Sequence, residues 1–129
     1  MLPHGFHVRS RPLEDDVLVV EAHGELDAAG APALGAALKA AALERRNVVV
    51  DLRGLSFMDS SGLRELVLAR RLLDGLGVGL ELVSGCRQVR RAFEITRLDG
   101  EFRWADGRAR TTSGSPSRRP RRAASPTGL

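Results

Sequence analysis

The sequence predicts one α/β domain built on a mixed β-sheet. Two strand-like segments near the start, residues 6–10 and 16–25, are separated by R-P-L-E-D, which predicts an antiparallel hairpin. Strand patterns then alternate with helix patterns, which predicts crossover connections in right-handed βαβ units. A chain of 129 residues with 43% hydrophobic content is long enough for one modest core.

Three further strands are predicted after the hairpin. Residues 47–52 form a continuous apolar run, as expected of a strand buried on both faces. Residues 79–84 alternate like a half-buried strand, and E-F-R-W at 101–104 is the last candidate. Trp104 is expected to cover the end of the core, with an exposed contact as the alternative reading.

Three helices are predicted between these strands. Asp27 is the expected N-cap of the first, in which Leu34 and Leu38 recur at helical spacing. The second follows F-M-D-S-S-G and stops at the glycines from position 75 onward. The third covers residues 86–96. The positions predicted to face inward in the second and third helices are Leu66, Ala69, Leu73, Leu76, Val89, Ala92, Phe93 and Thr96.

The basic charge of the chain belongs to its carboxyl-terminal tail. The net charge is +4, and residues 105–129 contain six arginines against one acid, Asp106. The rest of the chain is close to neutral. Because this tail is rich in Arg, Ser, Pro and Gly, we expect domain boundaries of 1–105 for the folded domain and 106–129 for a disordered tail. No aromatic residue separates its arginines, so no specific nucleic-acid binding is expected.

Composition also narrows the chemistry. A single cysteine, Cys86, excludes an internal disulfide framework, and we expect it to pack at a loop without a redox role. Three scattered histidines make no recognisable metal site, so no metal or cofactor is expected. No apolar segment reaches the length of a signal peptide or membrane span, which predicts a cytoplasmic protein.

The segment F-M-D-S-S-G-L, residues 57–63, places two hydroxyls at a strand-to-helix junction and allows three interpretations. Asp59 or Ser60 could cap the helix. A catalytic serine is disfavoured because the elbow pattern G-x-S-x-G is absent, and we expect no enzymatic activity. The third is a modifiable serine, since a phosphate near a helix N-terminus adds charge that the fold tolerates.

The longer string V-V-V-D-L-R-G-L-S-F-M-D-S-S-G-L closely resembles the phosphorylation-site region of STAS-domain anti-sigma factor antagonists. Three other stretches agree with the family in order and spacing, over roughly residues 8–104. They are H-G-E-L-D, V-G-L-E-L-V-S-G-C and V-R-R-A-F-E-I-T-R-L-D-G-E-F.

The resemblance implies a single STAS domain with helices packed mainly on one face of the sheet, and a bacterial regulator that exchanges partners. In the family, an anti-sigma factor that is also a serine kinase phosphorylates the first serine of the pair, and a PP2C-type phosphatase removes the phosphate. The unmodified antagonist binds the anti-sigma factor and releases the sigma factor. Carried onto this chain, the phosphoacceptor is Ser60. The implied partner-binding residues are Asp27, Met58, Asp59, Ser61, Gly62 and Leu63.

Two departures from the family pattern are visible. Arg97 stands where the family usually has Gly, so a left-handed helix end would cost about 1 kcal/mol or give way to another turn. Related domains usually add a helix after the last strand, whereas this chain continues into the arginine-rich tail. An uncovered face would lower stability or be covered in a homodimer.

Two alternative functions remain within the same family. One is a structural subunit of a large stress-signalling assembly, which would normally carry a further amino-terminal domain. The other is a subunit of a lipid-transport complex at a membrane, which would not require the acceptor serine in D-S-S-G-L.

Overall fold

The computed structural model describes residues 5–14 and 16–105. They form a five-stranded sheet with three α-helices and a short 3-10 helix at Asp99–Glu101. The strands are β1 (His7–Glu14), β2 (Val17–Leu26), β3 (Asn47–Met58), β4 (Leu80–Val83) and β5 (Arg103–Ala105), and the helices are α1 (Ala31–Leu43), α2 (Ser60–Gly75) and α3 (Arg87–Ile95). The predicted tail, residues 106–129, lies outside the described residues.

The order of strands in the sheet follows the order of strands in the sequence. β1 is antiparallel to β2, and the pairs β2–β3, β3–β4 and β4–β5 are parallel. Because every crossover is expected to be right-handed and the sheet grows in one direction, all three helices fall on the same face. The predicted mixed sheet with helices on one face is confirmed.

The main core lies between that face and the helices. Its strand residues include Val20, Val50, Leu52 and Leu82, which meet the buried stripes of the helices. A smaller cluster of Val19, Val49 and Val83 occupies the opposite face, with exposed fractions of 3 to 5%. The middle of β3 is therefore buried on both faces, as its continuous apolar run predicts.

Two strands are longer than the sequence predicts. β1 runs to Glu14 and includes Pro12, which pairs with Leu18 on β2. A proline is tolerated there because β1 is an edge strand, where a missing N–H donor interrupts no ladder. β3 continues beyond Leu52 to Met58, through two register shifts against β2. The expected hairpin loop R-P-L-E-D and the expected end of β3 were therefore wrong.

The carboxyl end of the fold closes around two aromatic rings. Trp104 packs edge-on against buried Phe93 at a centroid distance of 4.9 Å, and its indole N–H donates to the carbonyl of Asp99 at 2.8 Å. The guanidinium of Arg90 lies 4.0 Å from the centroid of the indole ring. Trp104 therefore covers the end of the core, as expected.

Two predicted positions near α3 differ from the structure. Thr96 was expected to face inward but is exposed after the last helical residue, where its hydroxyl donates to the carbonyl of Ala92 at 2.9 Å. Cys86 was expected to pack at a loop but is exposed at the N-cap of α3. Both residues lie at helix ends, where helical periodicity no longer determines which side chain is buried.

All three helices end in the same backbone motif. After α3, the N–H of Leu98 donates to the carbonyl of Phe93 at 2.8 Å, and that of Arg97 donates to Glu94 at 3.1 Å. This pattern requires a left-handed residue after the cap, which is Gly77 for α2 but Arg45 and Arg97 for α1 and α3. Arg97 keeps the left-handed conformation, with φ of 62°, rather than adopting another turn.

We expect Arg97→Gly to raise the free energy of unfolding by about 1 kcal/mol, because glycine adopts this backbone region without a Cβ penalty. The control is Arg91→Gly, which also exchanges an exposed arginine for glycine, but inside α3. That control should lower the free energy of unfolding by about 1 kcal/mol. Urea denaturation of both variants measures the two changes, and effects of the same sign would contradict the assignment.

Candidate functional site

The site lies where β2 and β3 end side by side. Leu26 pairs with Met58 at the last position of both strands, and the N–H of Asp59 donates to the carbonyl of Leu26 at 3.1 Å. Since β2 and β3 are parallel, their carboxyl ends meet at one edge of the sheet. Asp27 and Asp59, the residues that follow the two strands, therefore lie at the same edge.

Asp59 is the N-cap of α2. Its backbone is extended, with φ of −108°, and its Oδ1 accepts a hydrogen bond from the N–H of Ser61 at 2.8 Å. Its carbonyl accepts from the N–H groups of Gly62 at 3.2 Å and Leu63 at 3.3 Å. Of the two candidate caps, Asp59 carries this role, and the hydroxyl of Ser60 is not needed for it.

Ser60 is the first residue of α2 and is exposed. Within the described part of the chain, its hydroxyl has no hydrogen-bond partner. A phosphate on this oxygen would lie at the positive end of the helix dipole, which stabilises an added negative charge. Ser61 differs from Ser60 because it is half-buried and its N–H is held by Asp59.

Buried residues lie close to the serine pair on both sides in the sequence. Met58 and Leu63 are 5% and 4% exposed, and Gly62 is also buried. A Cβ atom on Gly62 would lie 2.6 Å from Cδ2 of Leu26 and 2.8 Å from Cγ of Met58, so only glycine allows the helix to approach the strand ends this closely. Because these three residues are buried, they fix the position of the helix start that carries the serine pair.

Asp27 stabilises a turn before α1 and is not its N-cap. Its Oδ1 accepts from the N–H groups of Ala29 at 3.1 Å and Gly30 at 3.2 Å, and its carbonyl accepts from Ala31 at 2.9 Å. The cap position belongs to Gly30, which makes no side-chain cap. Pro32 has no N–H to donate, and a helix accommodates this in its first turn, where N–H groups have no acceptor within the helix. The helix therefore begins just before Pro32, later than predicted.

Phe57 is a feature that sequence reasoning missed. Its side chain is 40% exposed and lies two residues before Asp59, opposite exposed Glu25 on β2. Simple alternation from buried Leu55 predicts that Phe57 faces the core, but the register shift between Gly24 and Glu25 turns it outward. The glycine beside a strand end is the sequence signal that could have indicated such a shift.

The perturbed carboxyl groups lie away from this edge, on the open face of the sheet. A hydrogen bond of 2.8 Å from Nε of Arg11 holds the pKa of Glu21 below its ordinary value. Burial would raise the pKa of Asp51, but hydrogen bonds from Arg53 at 2.9 and 3.0 Å outweigh it and lower the pKa. Both belong to surface ion pairs between neighbouring side chains, which explains their shifts without catalysis.

Nowhere in residues 5–14 and 16–105 do three His, Cys, Asp or Glu side chains come together in a way that could hold a metal ion. Over the same ranges, none of the helices has the length and apolar character needed to cross a membrane.

Comparison with known proteins identifies the family. The model of the STAS domain matches residues 10–112, so the chain belongs to the STAS domain family. Among solved structures, it is similar to an anti-sigma factor antagonist from Mycobacterium paratuberculosis, with 30% identity and a TM-score of 0.72 over 80% of this chain and 87% of that one.

Two structures of SpoIIAA share the same fold at lower identity. The unphosphorylated anti-sigma factor antagonist SpoIIAA is 22% identical, with a TM-score of 0.67 over 79% of this chain and 90% of that chain. The phosphorylated form of the Bacillus cell fate determinant SpoIIAA is 21% identical, with a TM-score of 0.63 over 79% of this chain and 94% of that chain. The predicted family, STAS-domain anti-sigma factor antagonists, is confirmed by the family match together with the mycobacterial relative.

Proposed function

We propose that this chain is an anti-sigma factor antagonist controlled by phosphorylation of Ser60. Its unmodified form binds an anti-sigma factor that is also a serine kinase, which releases the sigma factor for transcription. Phosphate on Ser60 abolishes this binding, and a PP2C-type phosphatase restores it. The role is that of a cytoplasmic binding regulator rather than of an enzyme.

One observation carries the proposal: the hydroxyl of Ser60 is exposed and takes no part in capping the helix that it begins. A kinase can reach this oxygen without unfolding the helix start, because Asp59 alone holds the cap. The 30% identity to the mycobacterial anti-sigma factor antagonist supports the same role. Neither of the two alternative assemblies within the family is favoured by a specific feature of the site.

The two negative charges of the phosphate are expected to act on the partner rather than on the fold. They would lie beside Asp59 at the rim of the site and close to the strand end that carries Asp27. The helix dipole favours the charge within the domain. An acidic partner surface would be repelled by the phosphate, and an apolar partner surface would remove water from it at a cost in free energy. We infer that Asp27 and Asp59 lie within the surface of this chain that contacts the partner, and that Ser61 lies at the edge of that surface.

Phosphate mapping tests the assignment of the acceptor. We expect a serine-kinase anti-sigma factor from the same source to incorporate one phosphate into the wild-type chain and into Ser61→Ala, and none into Ser60→Ala. Intact-mass measurement and fragment sequencing identify the modified residue. Ser61→Ala is the matched control because it removes the neighbouring hydroxyl of the same helix turn. A phosphate on Ser61, or undiminished incorporation in Ser60→Ala, would contradict the proposal.

A further inference from the structure

The outward side of α2 carries two exposed leucines in line with Ser60. The buried stripe of the helix comprises Gly62, Leu63, Leu66, Ala69 and Leu73. On the opposite side, exposed residues recur every four positions after Ser60, at Arg64, Leu68 and Leu72. Leu68 is 45% and Leu72 42% exposed. Residues spaced by four share one side of a helix, so these side chains form a continuous row.

Two arginines without acidic partners accompany this row. The side chains of Arg64 and Arg71 make no ion pair or hydrogen bond to any described residue. Arg70, one position away, instead pairs with Asp74 at 2.9 Å and Glu101 at 3.3 Å. The four residues Arg64, Leu68, Arg71 and Leu72 are named here the α2 ridge. The ridge thus combines exposed apolar surface with positive charge that the domain itself does not neutralise.

We propose that the α2 ridge is the docking surface for the serine-kinase anti-sigma factor, on which the partner lays an apolar surface flanked by acidic side chains. This inference rests on the proposed function and extends it from the acceptor serine to the surface that selects the partner. Leu68 and Leu72 follow Ser60 by eight and twelve residues, which corresponds to about 12 and 18 Å along the helix.

The size of the ridge is compatible with a single interface that includes Ser60. A standard interface buries about 800 Å² per partner, equivalent to a patch roughly 30 Å across. Such a patch covers the ridge and Ser60 together. A phosphate at one end of the interface would then weaken the contacts along the whole interface, because the kinase could no longer pack against α2.

The charge of the ridge favours an acidic partner over a second copy of this chain. In a two-fold symmetric contact, Arg64 and Arg71 of one copy would approach the same arginines of the other. Like charges held close in an interface oppose association. Acidic side chains of a different protein would instead neutralise both arginines while its apolar residues cover the leucines.

The test removes the leucines but keeps the helix. The double variant Leu68→Ala/Leu72→Ala retains helical propensity, since alanine is the strongest helix former. The matched control is Ile95→Ala on α3, where the isoleucine is 69% exposed. The probe is a purified serine-kinase anti-sigma factor from the same source. Isothermal titration calorimetry gives the affinity, and steady-state kinetics give kcat and KM for phosphorylation.

The double variant is expected to bind at least about tenfold more weakly than the wild type, as for truncation of buried interface anchors. Its KM for phosphorylation should rise by a similar factor with kcat nearly unchanged, because the lost contacts position the substrate but do not touch the phosphoryl group. Ile95→Ala should differ from the wild type by less than about twofold in both measurements. Arg64→Gln should slow association and reduce its salt dependence.

Three outcomes would overturn the inference, and they are distinguishable. If the double variant binds like the wild type while Ser60→Asp binds weakly, the ridge is not the docking surface although the proposed function holds. If Ser60→Asp itself binds like the wild type, the proposed function is wrong, and the ridge loses its basis. If sedimentation equilibrium shows a wild-type dimer that the double variant dissociates, the ridge binds a second copy of this chain instead.

Discussion

Ser60→Asp is expected to bind the anti-sigma factor at least about tenfold more weakly than the wild type while remaining folded. A tenfold loss corresponds to about 1.4 kcal/mol of repulsion or lost packing at the interface. The fold should tolerate the change because Ser60 is exposed at the first position of α2, where a carboxylate is stabilised by the helix dipole. Calorimetric titration measures the affinity, and circular dichroism follows the fold.

Two variants at the same position separate charge from shape. Ser60→Asn introduces a side chain of nearly the same size as Ser60→Asp but without the charge. Ser60→Ala removes the hydroxyl that accepts the phosphate. Ser60→Ala should bind the anti-sigma factor constitutively and lose little stability, because Asp59 provides the cap. If Asn weakens binding as strongly as Asp, the interface at Ser60 is limited by packing, and the proposed role of the phosphate charge is wrong.

Gly62→Ala is expected to destabilise the domain by about 1 to 3 kcal/mol, as for overpacking of a tight core. The new Cβ would lie 2.6 Å from Cδ2 of Leu26, 2.7 Å from its Cγ and 2.8 Å from Cγ of Met58. Leu26 and Met58 are buried at the paired strand ends, so relieving the overlap requires the start of α2 to move outward. Binding of the anti-sigma factor should weaken as well, because Ser60 moves with the helix.

Gly75→Ala is the matched control for this prediction. Gly75 is the last residue of the same helix, and a Cβ built there meets no atom within 4 Å. The same chemical change should therefore stabilise the domain by about 0.5 to 1 kcal/mol through reduced backbone entropy in the unfolded state. Denaturant unfolding distinguishes the two signs. Similar behaviour of the two variants would show that the close approach at Gly62 is not limiting.

The sequence predicts the succession of strands and helices because hydrophobic periodicity reflects local burial. The apolar run before Asp51 and the stripe of Leu66, Ala69 and Leu73 both reach the core as expected. What periodicity misses are the positions set by pairing between distant strands. β3 extends to Met58 because β2 is there to pair with it, and the outward turn of Phe57 follows from a register shift against β2.

The candidate site is only partly readable from the sequence. D-S-S-G-L indicates a serine at a strand-to-helix junction, but the choice between Asp59 and Ser60 as cap depends on backbone geometry. Asp27 fits the sequence pattern of an N-cap, yet it closes a turn because Pro32 and Gly30 delay the helix. The α2 ridge cannot be recognised from the sequence, because only the structure shows that the side chains of Arg64 and Arg71 have no partner among the described residues.

The central claim, that one phosphate on Ser60 controls partner binding, is tested most directly by comparing two forms of the wild-type chain. The affinity for the serine-kinase anti-sigma factor is measured for the unmodified chain, for the chain carrying one phosphate on Ser60, and again after treatment with a PP2C-type phosphatase. We predict that the phosphate weakens binding by at least about tenfold and that its removal restores the original affinity. Equal affinity of the unmodified and phosphorylated forms would contradict the account.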